Sequence, residues 1–194
     1  MDTQEAAPVY PSSSSMASSI PIDLFVSKKH PGLARGELGF ADSSGNIVFK
    51  ANRCKKQSSS SCKKLLLDAH GNVLVSMHRQ DGGHWEGFKE GGNERKDLIF
   101  TVQRTSKKLT RSELQVSLAQ EISGDLAAAS GLNVIGCPCQ RSCTVYKGDS
   151  IVAQTSLMYK LHQIYARKNK FRLTIFPVSI DHALIASLVV IFLD

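Results

Sequence analysis

The chain has 194 residues, enough for one domain at the usual size of roughly 100–200 residues each. Hydrophobic residues make up 42% and charged residues 21%, ordinary globular usage that excludes a chain too polar to bury a core. The net charge of +7 favours anionic partners: lipid headgroups, nucleic acid or acidic proteins.

Residues 1–20 are rich in Ser, Ala and Pro and carry only Asp2 and Glu5 as charges. They have no apolar run of the kind a signal peptide needs, so they read as a disordered leader. Met16 is an alternative start. The surplus of basic residues lies mostly in 21–80, with ten Lys/Arg against four Asp/Glu. Order is expected from Pro21, so the domain spans 21–194.

From there, short apolar runs at period two are broken by turn residues, the pattern of antiparallel strands. "DLFV" is the first. "ELGFAD" and "NIVFKA" flank Ser43-Ser44-Gly45, and "KKLLLDA" and "NVLVSMHR" flank His70-Gly71. Each of these hairpins contains Asp-x-x-Gly-Asn, starting at Asp42 and at Asp68, with the residue types that a tight turn needs. The basic, Ser-rich "NRCKKQSSSSCKK" between them reads as an exposed loop.

"HWEGF", "DLIFTVQR" and "ELQVSLAQ" follow, the last alternating through Leu114, Val116 and Leu118. Residues 121–131 are the least strand-like and read as a short helix or loop. "LNVIGC", "RSCTVYKG", "SIVAQTSLMY" and "FRLTIFP" complete about twelve candidate strands. Strand after strand without alternating helices predicts an all-β sandwich or barrel.

The chain ends "DHALIASLVVIFLD". Its apolar run is too short to span a bilayer, which takes about 20 residues. Apolar side chains point all round the helical wheel, so a helix here must be enclosed on every side. A barrel of about twelve strands has room for one. The expectation is a helix over about 181–193 inside a closed barrel, capped by Asp181, with Pro177 ending the strand before it. The competing reading is a final strand, "LVVIF".

"LLLDAHGNVLVSM", "HWEGFKEGGNERKDLIFTVQR", "RSCTVYKGDSIVAQ" and "FRLTIFPVSIDHALIASLVVIFLD" resemble, in order and spacing, the plant LURP-one-related family. The resemblance covers about 21–194. It implies a tubby-like fold, a twelve-stranded barrel around a central hydrophobic helix. It also implies kinship with tubby-type membrane-tethered proteins and phospholipid scramblases, and a link to plant defence in some members. The Cys-Pro-Cys of "GLNVIGCPCQRSC" and the stretch "MYKLHQIYARKNK" depart from the family's pattern. The family carries no agreed catalytic or ligand residues to transfer.

Five cysteines, Cys54, Cys62, Cys137, Cys139 and Cys143, make an odd count without a signal peptide, which favours a reducing cytosolic or nuclear setting. The C-x-C and C-x3-C spacings of the last three lack the paired-ligand pattern of zinc sites. They read first as structural thiols, with metal binding or redox sensing as the other reading. The histidines His30, His70, His78, His84, His162 and His182 are scattered, and no nucleophile elbow or zincin helix occurs. No enzyme activity, metal or cofactor is expected. Trp85 is expected to pack on the barrel.

The basic clusters carry the sharpest functional expectation. "RKNKFR" places Arg167, Lys168, Lys170 and Arg172 together. With Phe171, Leu173 and Ile175 inward, Lys170 and Arg172 face out. Lys55, Lys56, Lys63 and Lys64 form a second cluster. By analogy with tubby proteins, these groups would hold phosphoinositide or other anionic headgroups, in a monomer that sits at the plasma membrane or in the nucleus. The alternative partner is a protein, with the chain as an adaptor. Nucleic acid is disfavoured, because no aromatics interleave a basic sheet face.

Overall fold

The computed structural model describes residues 20–52, 63–89, 97–107, 111–119, 131–158, 170–177 and 180–194. Its strands are β1 (Ile22–Ser27), β2 (Leu38–Ala41), β3 (Ile47–Asn52), β4 (Lys63–Asp68), β5 (Val73–Arg79), β6 (Trp85–Lys89), β7 (Leu98–Lys107), β8 (Ser112–Leu118), β9 (Leu132–Cys137), β10 (Ser142–Lys147), β11 (Ser150–Leu157) and β12 (Lys170–Ile175). Each strand pairs antiparallel with the next in sequence, and β12 closes on β1. The closure is regular: Ile22 lies opposite Ile175, Leu24 opposite Leu173 and Ser27 opposite Lys170. All twelve expected strands are present, as a closed barrel. The expected helix or loop at 121–131 lies outside the described residues apart from Gly131. Of the expected leader only Ile20 is described.

Period-two alternation puts one face of each strand into the lumen. Leu114 and Val116 are buried on β8 while Gln115 and Ser117 are exposed, and Phe171, Leu173 and Ile175 are buried on β12 while Lys170 and Arg172 are exposed. The lumen is filled by α1 (His182–Phe192), in which every residue from Ala183 to Phe192 is buried. The competing strand reading of "LVVIF" therefore gives way to the helix. The physical reason is hydrogen bonding. A segment inside a closed barrel finds no sheet edge to pair with, and only a helix satisfies its own N–H and C=O groups.

The helix entry is capped as expected. The Asp181 carboxylate accepts the Ala183 N–H (2.9 Å). The hydroxyl of Ser187, fully buried, donates to the Ala183 carbonyl (2.8 Å), so the helix brings no unmet side-chain donor into the lumen. The helix is about 16 Å long at 1.5 Å per residue, half of a hydrocarbon core of about 30 Å. No helix among the described residues is long and apolar enough to cross a membrane.

The other helix end meets a basic collar. Lys64 and Arg79 end lumen-facing rows that hold buried Leu66 and Met77, and Arg104 follows buried Val102 two residues on in β7. Lys64 pairs with Asp194 at 2.5 Å and Arg79 pairs with it at 3.3 Å. Arg104 donates to the Ile191 carbonyl (3.4 Å). Cations here complement the negative end of the helix dipole. Burial pulls the Arg104 guanidinium below its ordinary range, with Asp194 opposing that shift. Trp85, 2% exposed, packs under the Lys64 ammonium, which stands 5.3 Å from its ring centre. Its expected packing role holds.

The two Asp-x-x-Gly-Asn turns are one solution used twice. Asp42 accepts the Asn46 N–H and Asp68 accepts the Asn72 N–H, both at 2.8 Å, while Gly45 and Gly71 take the positive φ values of 87° and 96°. These bonds hold both carboxyls below the usual carboxylate range, mainly through Asn46 in the first turn and the Asn72 side chain in the second. At Gly87 a Cβ would overlap the Phe100 ring, which occupies the space that glycine leaves.

Gly87→Ala is expected to cost about 1–3 kcal/mol by overpacking, read as a lower urea midpoint with an unchanged slope. An Asp42→Ala/Asp68→Ala variant should melt below the native chain at neutral pH. A lowered folded pKa contributes stability above the ordinary carboxylate value and loses it as pH falls through the folded value. The melting difference should therefore shrink on acidification; a difference independent of pH would show that the turns do not need the charged form.

Candidate anion-binding face at the barrel seam

Where β12 closes on β1, the outward residues form cross-strand pairs. Lys170 stands opposite Ser27, Arg172 opposite Phe25 and Thr174 opposite Asp23. Ser156 and Gln154 of β11 flank Arg172 and Thr174 on the other side. Asp23 organises the lower part of this face. It accepts from the Thr174 hydroxyl (2.5 Å) and pairs with Arg172 (3.4 Å). Arg172 is thereby aimed along the sheet, with its charge partly balanced.

Lys170 sits differently. It lines a cleft of about 310 Å³ with Phe25, Ser27, Lys29, His30 and Met158. The loop after β1 is ordered by its own polar groups. Ser27 Oγ accepts the Lys29 N–H (3.0 Å) and donates to the Lys29 carbonyl (3.1 Å). His30 Nδ1 accepts the Gly32 N–H (3.2 Å), which leaves Nε2–H to donate to the Gly45 carbonyl (2.9 Å). The imidazole so fixed ties the loop to the first Asp-x-x-Gly-Asn turn. The result is a cleft lined by two lysines, Lys29 and Lys170, and one carboxylate, Asp42, with apolar Phe25 and exposed Met158 beside them. Such a surface fits a phosphate ester that also carries an apolar part.

The other basic residues singled out in the sequence do not gather here. Lys63 is exposed on β4, three strands round the barrel from β1. Lys64 faces the lumen and is held by Asp194, with its side chain 11% exposed. Lys55, Lys56, Arg167 and Lys168 lie outside the described residues. Lys29 and His30 lie outside the dense basic runs; their signal in the sequence is the turn-forming "SKKHPG" directly after the first strand.

A second cleft, of about 530 Å³, opens beside the helix entry between Ile22, Asp23, Asp42, Phe49 and His182. Asp42 lines both clefts; the second adds Asp23 where the first has Lys29 and Lys170. His182 lines the second cleft at the helix start. Among the described residues no group of three or more His, Cys, Asp or Glu converges as metal ligands.

Residues 22–194 match the family described as LURP-one-related. Protein LURP-one-related 7 of Arabidopsis thaliana is 53% identical over 175 residues, covering 90% of this chain and 90% of the relative. Protein LURP-one-related 15 of the same plant is 32% identical over 183 residues, covering 90% of this chain and 80% of that protein. An X-ray structure of an Arabidopsis thaliana protein is similar with a TM-score of 0.62 at 32% identity, covering 91% of both chains. With its sequence matched from β1 through α1 and its fold shared with a solved relative, the chain belongs to the LURP-one-related family.

Proposed function

We propose that the chain is a non-enzymatic module that tethers reversibly to anionic membranes, with phosphoinositide headgroups held at the barrel seam. The observation that carries this reading is the convergence of Lys29 and Lys170 on one cleft, with Arg172 beside Lys170 on the same outward face. Arg167 and Lys168 precede these strand residues in sequence and extend the basic set. Lys55, Lys56 and Lys63 form a second basic run in the sequence. Lys64 takes no part, because its ammonium is committed to Asp194.

The reading has two supports in chemistry. Each basic group near an anionic leaflet contributes about 1 kcal/mol, so a few suffice for reversible attachment. Phe25 and Met158 at the cleft give the interface an apolar component beside the charges. Lipid scrambling is a weaker reading, because it requires α1 to leave a lumen in which all but its first residue is buried. The setting we assign is the reducing interior of the plant cell, at the plasma membrane or in the nucleus, in defence signalling. The competing reading is an adaptor that binds proteins and ignores lipid.

Co-sedimentation with vesicles tests the reading at about 0.15 M salt, where the Debye length is about 8 Å. Binding is expected to vesicles containing phosphatidylinositol bisphosphate and not to neutral ones, and to weaken at high salt. Lys29→Gln/Lys170→Gln should weaken it by about 2 kcal/mol, roughly thirtyfold, with the melting temperature unchanged. Equal binding by this variant would overturn the seam as the site. Absence of binding by the native chain would favour the adaptor.

A further inference from the structure

The Cys-Pro-Cys departure noted in the sequence places two thiols together. Cys137 ends β9, Pro138–Gln140 forms a 3₁₀ turn, and β10 starts at Ser142. The Cys137 and Cys139 sulfurs are 2.7 Å apart. Cys137 is buried and Cys139 is exposed. The seam cleft lies on other strands, so this pair is independent of the lipid reading.

The turn is held on both sides. Cys137 is in register with Ser142 across the β9–β10 ladder. Gly136 comes so close to β10 that a Cβ would overlap the Ser142 carbonyl oxygen. Pro138 fixes one backbone angle of the turn, and the Arg141 N–H closes it on the Pro138 carbonyl (3.1 Å). Arg141 takes a left-handed φ of 53°, and its own carbonyl accepts the Thr155 hydroxyl (2.9 Å), which pins the turn to β11. The sulfur contact is therefore a product of a braced loop. The hydrogen bond between the sulfurs and the amides of Cys139 and Gln140 hold the Cys137 thiol below its usual range, while the same sulfur contact pushes Cys139 up. The sulfur contact thus makes the first proton of the pair easier to lose than that of an ordinary cysteine.

Cys143 has the opposite chemistry. It faces the core, and burial pushes its thiol up to about 11, with a partial offset from Thr155. It stays protonated and inert.

We propose that Cys137 and Cys139 form a modification site for peroxide oxidants, which convert the pair to an intrachain disulfide. The Cys137 thiolate attacks one peroxide oxygen, the O–O bond breaks, and the departing hydroxide takes a proton to become water. The sulfenic acid so formed is attacked by the Cys139 sulfur, which loses its proton; the S–O bond breaks and a second water leaves. Two thiols and one hydrogen peroxide yield one disulfide and two waters, with two electrons passing from sulfur to oxygen. The exposed edge at Cys139 gives a thiol reductant access for reversal.

Peptide mass measurement on the full chain tests this. The reduced protein is treated with hydrogen peroxide, unfolded, alkylated and cut with trypsin, which cleaves after Arg141 and so separates Cys143 from the pair. The peptide bearing Cys137 and Cys139 is expected to lose the mass of two hydrogens and to take up no alkyl group, while Cys143 is alkylated as before. Dithiothreitol should restore both alkylation sites. In Cys139→Ser, a substitution at an exposed position, the disulfide should be lost and a dimedone-reactive sulfenic acid should appear at Cys137. Full alkylation of both residues after peroxide, a crosslink of either to Cys143, or sulfinic acid forming in place of the disulfide would each overturn the proposal.

Discussion

The closed barrel has no edge, and everything placed inside it must satisfy its own backbone. That constraint explains why a segment rich in Val, Leu and Ile forms a helix here. Its β-branched residues cost a few tenths of a kcal/mol each in helical propensity. An unpaired strand would leave a buried row of N–H and C=O groups, each costing about 1–3 kcal/mol. The second penalty is far larger, so the lumen selects the helix. The helix in return fills a space that twelve strands alone would leave empty.

A filled lumen also decides where function can reside. Among the described residues the helix occupies the lumen, and the two clefts described open at the β1–β12 seam and beside the helix entry. The helix-exit rim is occupied by Lys64, Arg79 and Arg104, whose charges face Asp194 and the final helical carbonyls. The β1–β12 seam is different, because its Lys170 and Lys29 border open space. Lys64 and Lys170 thus differ in setting because Lys64 lies on a lumen-facing strand row and Lys170 on an outward-facing one.

Much of this was legible in the sequence. Period-two runs and the repeated Asp-x-x-Gly-Asn turns mark the strands because sheet geometry and glycine conformations leave few alternatives. Asp181 and a charge-free run after it mark the helix. The outward placement of Lys170 and Arg172 follows from Phe171, Leu173 and Ile175 alone. The role of Lys64 was not legible. It shares a face with buried Leu66, but only the closed barrel shows that this row ends at Asp194. Lys29 was hidden because its place depends on a hydrogen-bonded loop and not on a period. The sulfur contact of Cys137 and Cys139 depends on a 3₁₀ turn that spacing does not specify.

The closing ladder between Ile22–Ser27 and Lys170–Ile175 joins strands from opposite ends of the domain's sequence, and the helix that fills the lumen follows them both. During synthesis the apolar inner faces of the strands are made before their filling exists. The growing meander carries two open edges until its last strand is released. Folding must therefore wait for nearly the whole domain, with a slow, long-range closure as its decisive step. The same architecture that leaves the finished barrel without an edge makes the nascent chain dependent on protection from aggregation.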